Sequence, residues 1–161
     1  VVDIDETRRG LVESLGAAFA PAGEVAAAIA AKANRMGYLD ADVVFHTSVH
    51  EAGLNLALDC AGMEGTVVEL SWYGDKPVKV GLGGPFHSRR LKLVSSQVGQ
   101  VSPGRRPRWT YGRRMAAALR LLDNPALDAL VAEDIAFEDA PKHLPEILGP
   151  GAKGLAPVIR Y

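Results

Sequence analysis

The chain has 161 residues, 48% of them hydrophobic and 23% charged, which suits a globular domain with one core. Its formal net charge of −1 argues against bulk attraction to nucleic acid or to a membrane surface. The one cysteine, Cys60, excludes an internal disulfide and fits a cytoplasmic, reducing setting, and no apolar run approaches the ~20 residues that span a bilayer.

The chain opens on VVDIDETRR, already inside a strand pattern, so it is expected to be the later part of a longer protein. Val1 to Asp5 reads as a short strand ending in acids. A helix follows, with Leu11, Val12 and Leu15 at helical spacing and Gly16 as its stop. AAF is a candidate second strand, and the alanine-rich GEVAAAIAAKANRMG is a helix ending at Gly37. ADVVFHTS is a buried-type strand, and HEAGLNLALDCAG a helix with Leu54, Ala57 and Leu58 on one face. GTVVELSWYG is another strand, bounded by Gly65 and Gly74. KPVKVGLGG and RRLKLVSSQVG are both strand candidates. GRRMAAALRLLDN is a helix, AFEDAPKHLPEIL a last helix and LAPVIRY a terminal strand. Strands alternating with helices in this way imply βαβ units and a mostly parallel sheet.

Four stretches carry candidate chemistry. The first is the acid at the end of the opening strand. In nucleotide-binding βαβ folds a carboxylate there bonds the adenosine ribose hydroxyls and repels a 2′-phosphate, and VVDID offers Asp3 or Asp5. The second is FHTSVHEAG. His46 and His50 lie four apart with Glu51 behind, so a small zinc hydrolase built on these three residues is one reading. The strand pattern ends near Ser48 and the helix begins near His50, so the histidines straddle a junction and need not converge. Thr47 and Ser48 close the strand, at the end where ligands of open α/β sheets bind. The third is GLGGPF, which fails the G-x-G-x-x-G pattern because Phe86 stands at its third glycine. It reads as a turn with no helix opening behind it. The fourth is the basic run of Arg105, Arg106 and Arg108 beside Trp109, followed by Arg113 and Arg114. It is either a solvated loop or a contact for an anionic group or a partner subunit.

VVDIDETRRGLVESLGA resembles the second strand and helix of the medium-chain dehydrogenases, the zinc-type alcohol dehydrogenase superfamily. There the pattern is Val-Asp-x-x-x-x-(Lys/Arg), a helix, then Leu-Gly-Ala. ADVVFHTS, GTVVELSWYG and LKLVSSQVG resemble that family's next three strands, and AFEDAPKHLPEIL with GLAPVIRY its closing helix and strand. The polyol and threonine dehydrogenases are the most similar subgroup. The resemblance implies a Rossmann-like α/β fold, a mostly parallel sheet with flanking helices, lacking the first strand and the glycine-rich loop. Residues 1–161 would be a partial nucleotide-binding domain with the parent's closing segment. The zinc-binding catalytic domain would lie before Val1, so zinc is expected only there.

What the resemblance implies for the site follows residue by residue. Asp3, counted back from Gly16, takes the ribose position and Arg8 the basic one. Thr47 and Ser48 flank the two riboses, Leu70 and Ser71 close the next strand, and Gln97 and Val98 border the nicotinamide carboxamide. Val49 stands where many relatives have glycine, and a valine resists both close approach and positive φ. The cofactor is NAD, and the parent's substrate a small secondary alcohol or polyol. The parent is expected to form homo-oligomers, and the chain alone to be inactive, with no catalytic residue and no metal ligand. A different class remains open beside it, a non-catalytic α/β module serving as an interaction or subunit interface.

Overall fold

A computed structural model describes residues 1–36, 41–149 and 155–161. The described residues form two compact units. The first comprises residues 1–6 and 19–104, the second residues 7–18 and 105–161. Every strand pairing among the described residues is parallel.

In the first unit, β1 (Val2–Asp3) pairs with β2 (Ala20–Pro21), one step later than the AAF strand expected from sequence. Helix α2 (Val25–Met36) follows a 3-10 turn at Ala22–Glu24, and its expected stop, Gly37, lies outside the described residues. A three-stranded sheet then runs in the order β3 (Ala41–His46), β4 (Ala61–Glu69), β5 (Lys92–Ser95). Its strands carry Val43, Val44, Val67, Val68 and Val94, β-branched residues that fit a pleated, half-buried surface. The crossover from β3 to β4 is helix α3 (Glu51–Cys60).

The core of this unit forms where α3 lies on the sheet. Leu54, Ala57 and Leu58 face Ala61 and Val67 of β4 and Leu91 before β5. Those three residues are the helix face expected from the 3.6-residue period. The start of β4 carries a wide bulge: Ala41 pairs with Ala61, but Val43 pairs with Thr66. Arg89 braces this corner, its guanidinium donating to the carbonyls of Asp59, at 3.0 Å, and Ala61, at 2.8 Å. These are terminal carbonyls of α3 that the helix itself leaves unpaired.

Four expectations in this unit change. β4 ends at Glu69 rather than at Gly74, and residues 70–83 cross the end of the sheet irregularly. KPVKVGLGG forms no strand. Val78 and Val80 pack on the core as their alternation suggests, but side chains of α3 take the backbone bonds. Glu51 accepts the Lys79 N–H at 3.3 Å, while Asn55 donates to the Lys79 carbonyl at 3.1 Å and accepts the Gly81 N–H at 2.8 Å. A short helix, α4 (Gly84–Ser88), does open behind GLGGPF, with Pro85 in its first turn. β3 stops at His46, so Thr47 and Ser48 lie just past its end.

In the second unit, α1 (Arg9–Ser14) ends at Gly16, whose φ of 81° is the left-handed stop anticipated there. Helix α5 (Tyr111–Leu122) is capped by the Thr110 hydroxyl, which accepts the Arg113 N–H at 3.1 Å. Strand β6 (Val131–Ala136) escaped the sequence reading, because Glu133 and Asp134 interrupt its apolar run. It pairs with β7 (Ala156–Arg160), and between them a 3-10 turn at Phe137–Asp139 leads into α6 (Ala140–Ile147). Phe137 stacks on Tyr161 with ring centroids 4.8 Å apart. No helix among the described residues is long and apolar enough to cross a membrane.

Leu58, 3% exposed, is the anchor of α3 on the sheet, whereas Leu121 of α5 is 76% exposed. Leu58→Ala is expected to lower unfolding stability by about 2–5 kcal/mol in urea titrations, and Leu121→Ala by less than about 0.5 kcal/mol. Equal losses would contradict this placement of the core.

Candidate functional site

β3 and β4 end side by side, and their last residues are in register: His46 pairs with Glu69. Paired residues of neighbouring strands present their side chains to the same face. The imidazole therefore meets the carboxylate directly, with His46 Nδ1 2.8 Å from Glu69 Oε2. His46 is 5% exposed, a polar side chain closing the apolar run Val43, Val44 and Phe45. The backbone continues the pairing beyond the strands. The Leu70 N–H donates to the His46 carbonyl at 3.0 Å, and the Ser96 N–H beyond β5 donates to the Glu69 carbonyl at 2.8 Å.

Glu69 collects further donors. The Ser71 N–H reaches Oε1 at 2.7 Å and the Tyr73 hydroxyl reaches Oε2 at 3.1 Å. An ionised carboxylate only accepts, so His46 carries its proton on Nδ1. Its Nε2 lies 2.7 Å from the Ser48 hydroxyl, accepting from it when the ring is neutral and donating to it when the ring is charged. Burial alone would raise the Glu69 pKa. Hydrogen bonds from Ser71 and His46, with the attraction of His46, outweigh that and hold it below its ordinary value. Burial, together with the same carboxylate, pushes the Tyr73 hydroxyl above its usual range, which keeps it a donor.

Two backbone features shape the space around this chain of bonds. A Cβ on Gly53 would fall 2.3 Å from Ser48 Oγ and 2.8 Å from His46 Nε2. Only glycine leaves room there for hydroxyl and ring to meet. Val49 sits at φ 54°, contrary to the expectation that a valine would resist this conformation. A β-branched residue in the left-handed region is strained by about 1–3 kcal/mol. Its N–H is held by the Ser71 hydroxyl at 3.2 Å, which ties the β3 turn to the β4 turn.

The remaining site candidates divide. Thr47, Ser48, Leu70 and Ser71 come together where β3 and β4 end. Gln97 and Val98 lie exposed beyond β5, the third strand of the same sheet. Asp3 ends β1, and its carboxylate accepts the Asp5 N–H at 3.0 Å, so of the two acids it is Asp3 that folds the turn. Arg8 is half-buried and belongs to the second unit, whereas Asp3 belongs to the first.

The three residues of the zinc reading are engaged separately, Glu51 by the Lys79 N–H. His50 caps α3, its Nδ1 accepting the Ala52 N–H at 3.2 Å, while His46 is engaged by Glu69 and Ser48. No group of three or more His, Cys, Asp or Glu side chains suited to a metal occurs among the described residues. In the basic run, Arg113 stacks over Trp109 at 4.5 Å and Arg114 over Tyr111 at 5.4 Å, and Arg113 also donates to the Arg108 carbonyl. Sequence reasoning missed Glu69, Tyr73 and Gly53. A lone acid inside the apolar run GTVVELSWYG was the available signal for the first.

Because the folded state holds the Glu69 pKa below its unfolded value, the unfolded chain binds the proton more readily. The stability this carboxylate contributes is fully present above about pH 4.5, its ordinary value, and is lost as pH falls through the lowered one. Glu69→Gln is expected to be less stable near neutrality but to lose less stability on acidification. Urea unfolding from pH 7 to 3 reads this, and parallel pH curves for the two proteins would refute it.

No protein-family model matches the chain, and no curated protein does. Solved structures do. The chain superposes on 2R,3R-butanediol dehydrogenase from Bacillus subtilis with a TM-score of 0.73 and 17% identity, over 99% of this chain and 42% of that one. An alcohol dehydrogenase zinc-binding domain protein from Burkholderia ambifaria gives 0.71 and 18%, over 99% and 40%. A structure described as a short chain alcohol dehydrogenase from Escherichia coli CFT073, complexed with NADH, gives 0.69 and 13%, over 100% and 44%. The chain thus spans less than half the length of the structures it matches, and over that span it shares the fold of these dehydrogenases.

Proposed function

We propose that this chain is the nucleotide-binding part of a zinc-type, NAD-dependent alcohol dehydrogenase. The observation that carries this reading is the joint one of fold and site: parallel strands whose carboxyl ends are lined by small polar groups, in a fold shared with alcohol dehydrogenases. Open α/β sheets bind their ligands at that end. The available groups suit a dinucleotide. The hydroxyls of Thr47, Ser48 and Ser71 and the carboxylate of Asp3 are the donor and acceptor types that ribose hydroxyls require.

The nicotinamide, when bound, supplies the hydride acceptor or donor. The residues of this chain bind and orient it. Asp3 accepts from the adenosine ribose hydroxyls and disfavours a 2′-phosphate, so NAD is preferred to NADP. Thr47 and Ser48 flank the riboses with Leu70 and Ser71 beside them, and Gln97 and Val98 meet the carboxamide through backbone groups. Zinc, the proton relay and the choice of a small secondary alcohol or polyol belong, in this reading, to the rest of a longer enzyme. The chain alone would oxidise no alcohol.

Titration of the chain with NAD and with NADP, followed by calorimetry, tests the proposal. NAD is expected to bind, and Asp3→Ala to weaken it about tenfold while narrowing the gap to NADP. Binding of neither nucleotide, or an unchanged NAD affinity in Asp3→Ala, would overturn the assignment.

A further inference from the structure

We propose that Ser48, His46 and Glu69 form a hydrolytic centre in which Ser48 is a nucleophile toward small carboxylic esters. The connectivity is that of an activated serine. Ser48 Oγ is 2.7 Å from His46 Nε2, and His46 Nδ1 is 2.8 Å from Glu69 Oε2. Nucleophile and base within hydrogen-bond reach, with the base oriented by a third group, is the geometry that general-base activation requires.

The protonation pattern is the productive one. Glu69 already accepts from Ser71 and Tyr73, so it fixes a proton on Nδ1, and in the neutral imidazole the lone pair of Nε2 then faces the hydroxyl. The placement is productive too. His46 is buried and rigidly held, whereas Ser48 is exposed and open to an incoming molecule. Gly53, in the first turn of α3, keeps the space beside Ser48 Oγ clear. Val49, Leu70 and Trp72, all exposed, neighbour the site in sequence and suit an apolar acyl or aryl group.

The step balances without a cofactor. The Ser48 oxygen bonds to the ester carbonyl carbon while its proton passes to His46 Nε2. The tetrahedral adduct collapses, the carbon–alkoxy bond breaks, and the leaving alcohol takes the proton from Nε2. Water then gives its proton to Nε2 and its oxygen to the acyl carbon. The acyl bond to Ser48 breaks, and Ser48 recovers the proton. The sum is ester plus water giving acid plus alcohol. Glu69 acts as a positioning residue throughout. The proposal uses a hydroxyl that the nucleotide reading also uses, so its test is run without nucleotide.

The test is hydrolysis of 4-nitrophenyl acetate, with fluorophosphonate labelling mapped by mass spectrometry. A single adduct on Ser48 is expected. Ser48→Ala should abolish the adduct and lower the catalysed rate about a hundredfold or more. Ser48→Cys should accumulate the acetylated chain. Glu69→Gln should lower kcat with little change in KM and alter the pH profile of kcat, a readout that a merely structural role would not move. Folding of each variant is checked by circular dichroism. Labelling elsewhere than Ser48, or equal hydrolysis by wild type and a folded Ser48→Ala, would overturn the proposal and leave the three side chains as a fastening of strand ends.

Discussion

The hydrogen bond between His46 and Glu69 organises one end of the parallel sheet. It joins the last residues of β3 and β4 at 2.8 Å, and everything described at that end is attached to one partner or the other. Ser48 hangs on the far nitrogen of His46, and Ser71 and Tyr73 hang on the oxygens of Glu69. Such a pair within a sheet is stabilising only if its remaining donors and acceptors are met, since a half-satisfied buried network costs more than an apolar one. No buried side-chain nitrogen or oxygen among the described residues lacks a partner. The network also sets polarity: the carboxylate fixes a proton on Nδ1 of His46 and leaves Nε2 facing the serine hydroxyl.

The turn after β3 shows what that order costs. Val49 is held at φ 54°, a conformation that glycine would adopt freely. The Ser71 hydroxyl on its N–H and the first turn of α3 just beyond it over-determine the backbone there. Strain of this kind concentrates at functional sites, where neighbouring bonds hold what local preference would release. The same strand ends are those at which an α/β sheet binds its ligand, so a rigid, strained and polar rim is in keeping with the nucleotide reading.

Much of the framework was legible in the sequence because the elements that carry it are locally consistent. ADVVFHTS and the first half of GTVVELSWYG are β-branched runs, and the Leu54, Ala57, Leu58 spacing fixed the buried face of α3 in advance. The failures have local causes. KPVKVGLGG alternates like a strand, yet Glu51 and Asn55 side chains satisfy its backbone, a competition that no periodicity reveals. β6 was hidden by its acids, and α4 by a Gly-Pro start. The site was half-visible. His46 attracted attention through His50, four residues away, but its structural partner is Glu69, across the sheet, and only strand register brings those two together. Ser48 was marked as a strand-end hydroxyl, and its bond to the imidazole depends on Gly53, whose lack of a side chain carries no motif.

The most direct test of the central claim, that these strand ends receive a nucleotide, is residue-resolved NMR of the isotope-labelled chain titrated with NAD. The largest amide shifts are expected at Asp3, Thr47, Ser48, Val49, Leu70, Ser71, Gln97 and Val98, with Val158 and Ile159 of β7 unmoved. Shifts centred on β6 and β7, with the ends of β3, β4 and β5 unchanged, would contradict it.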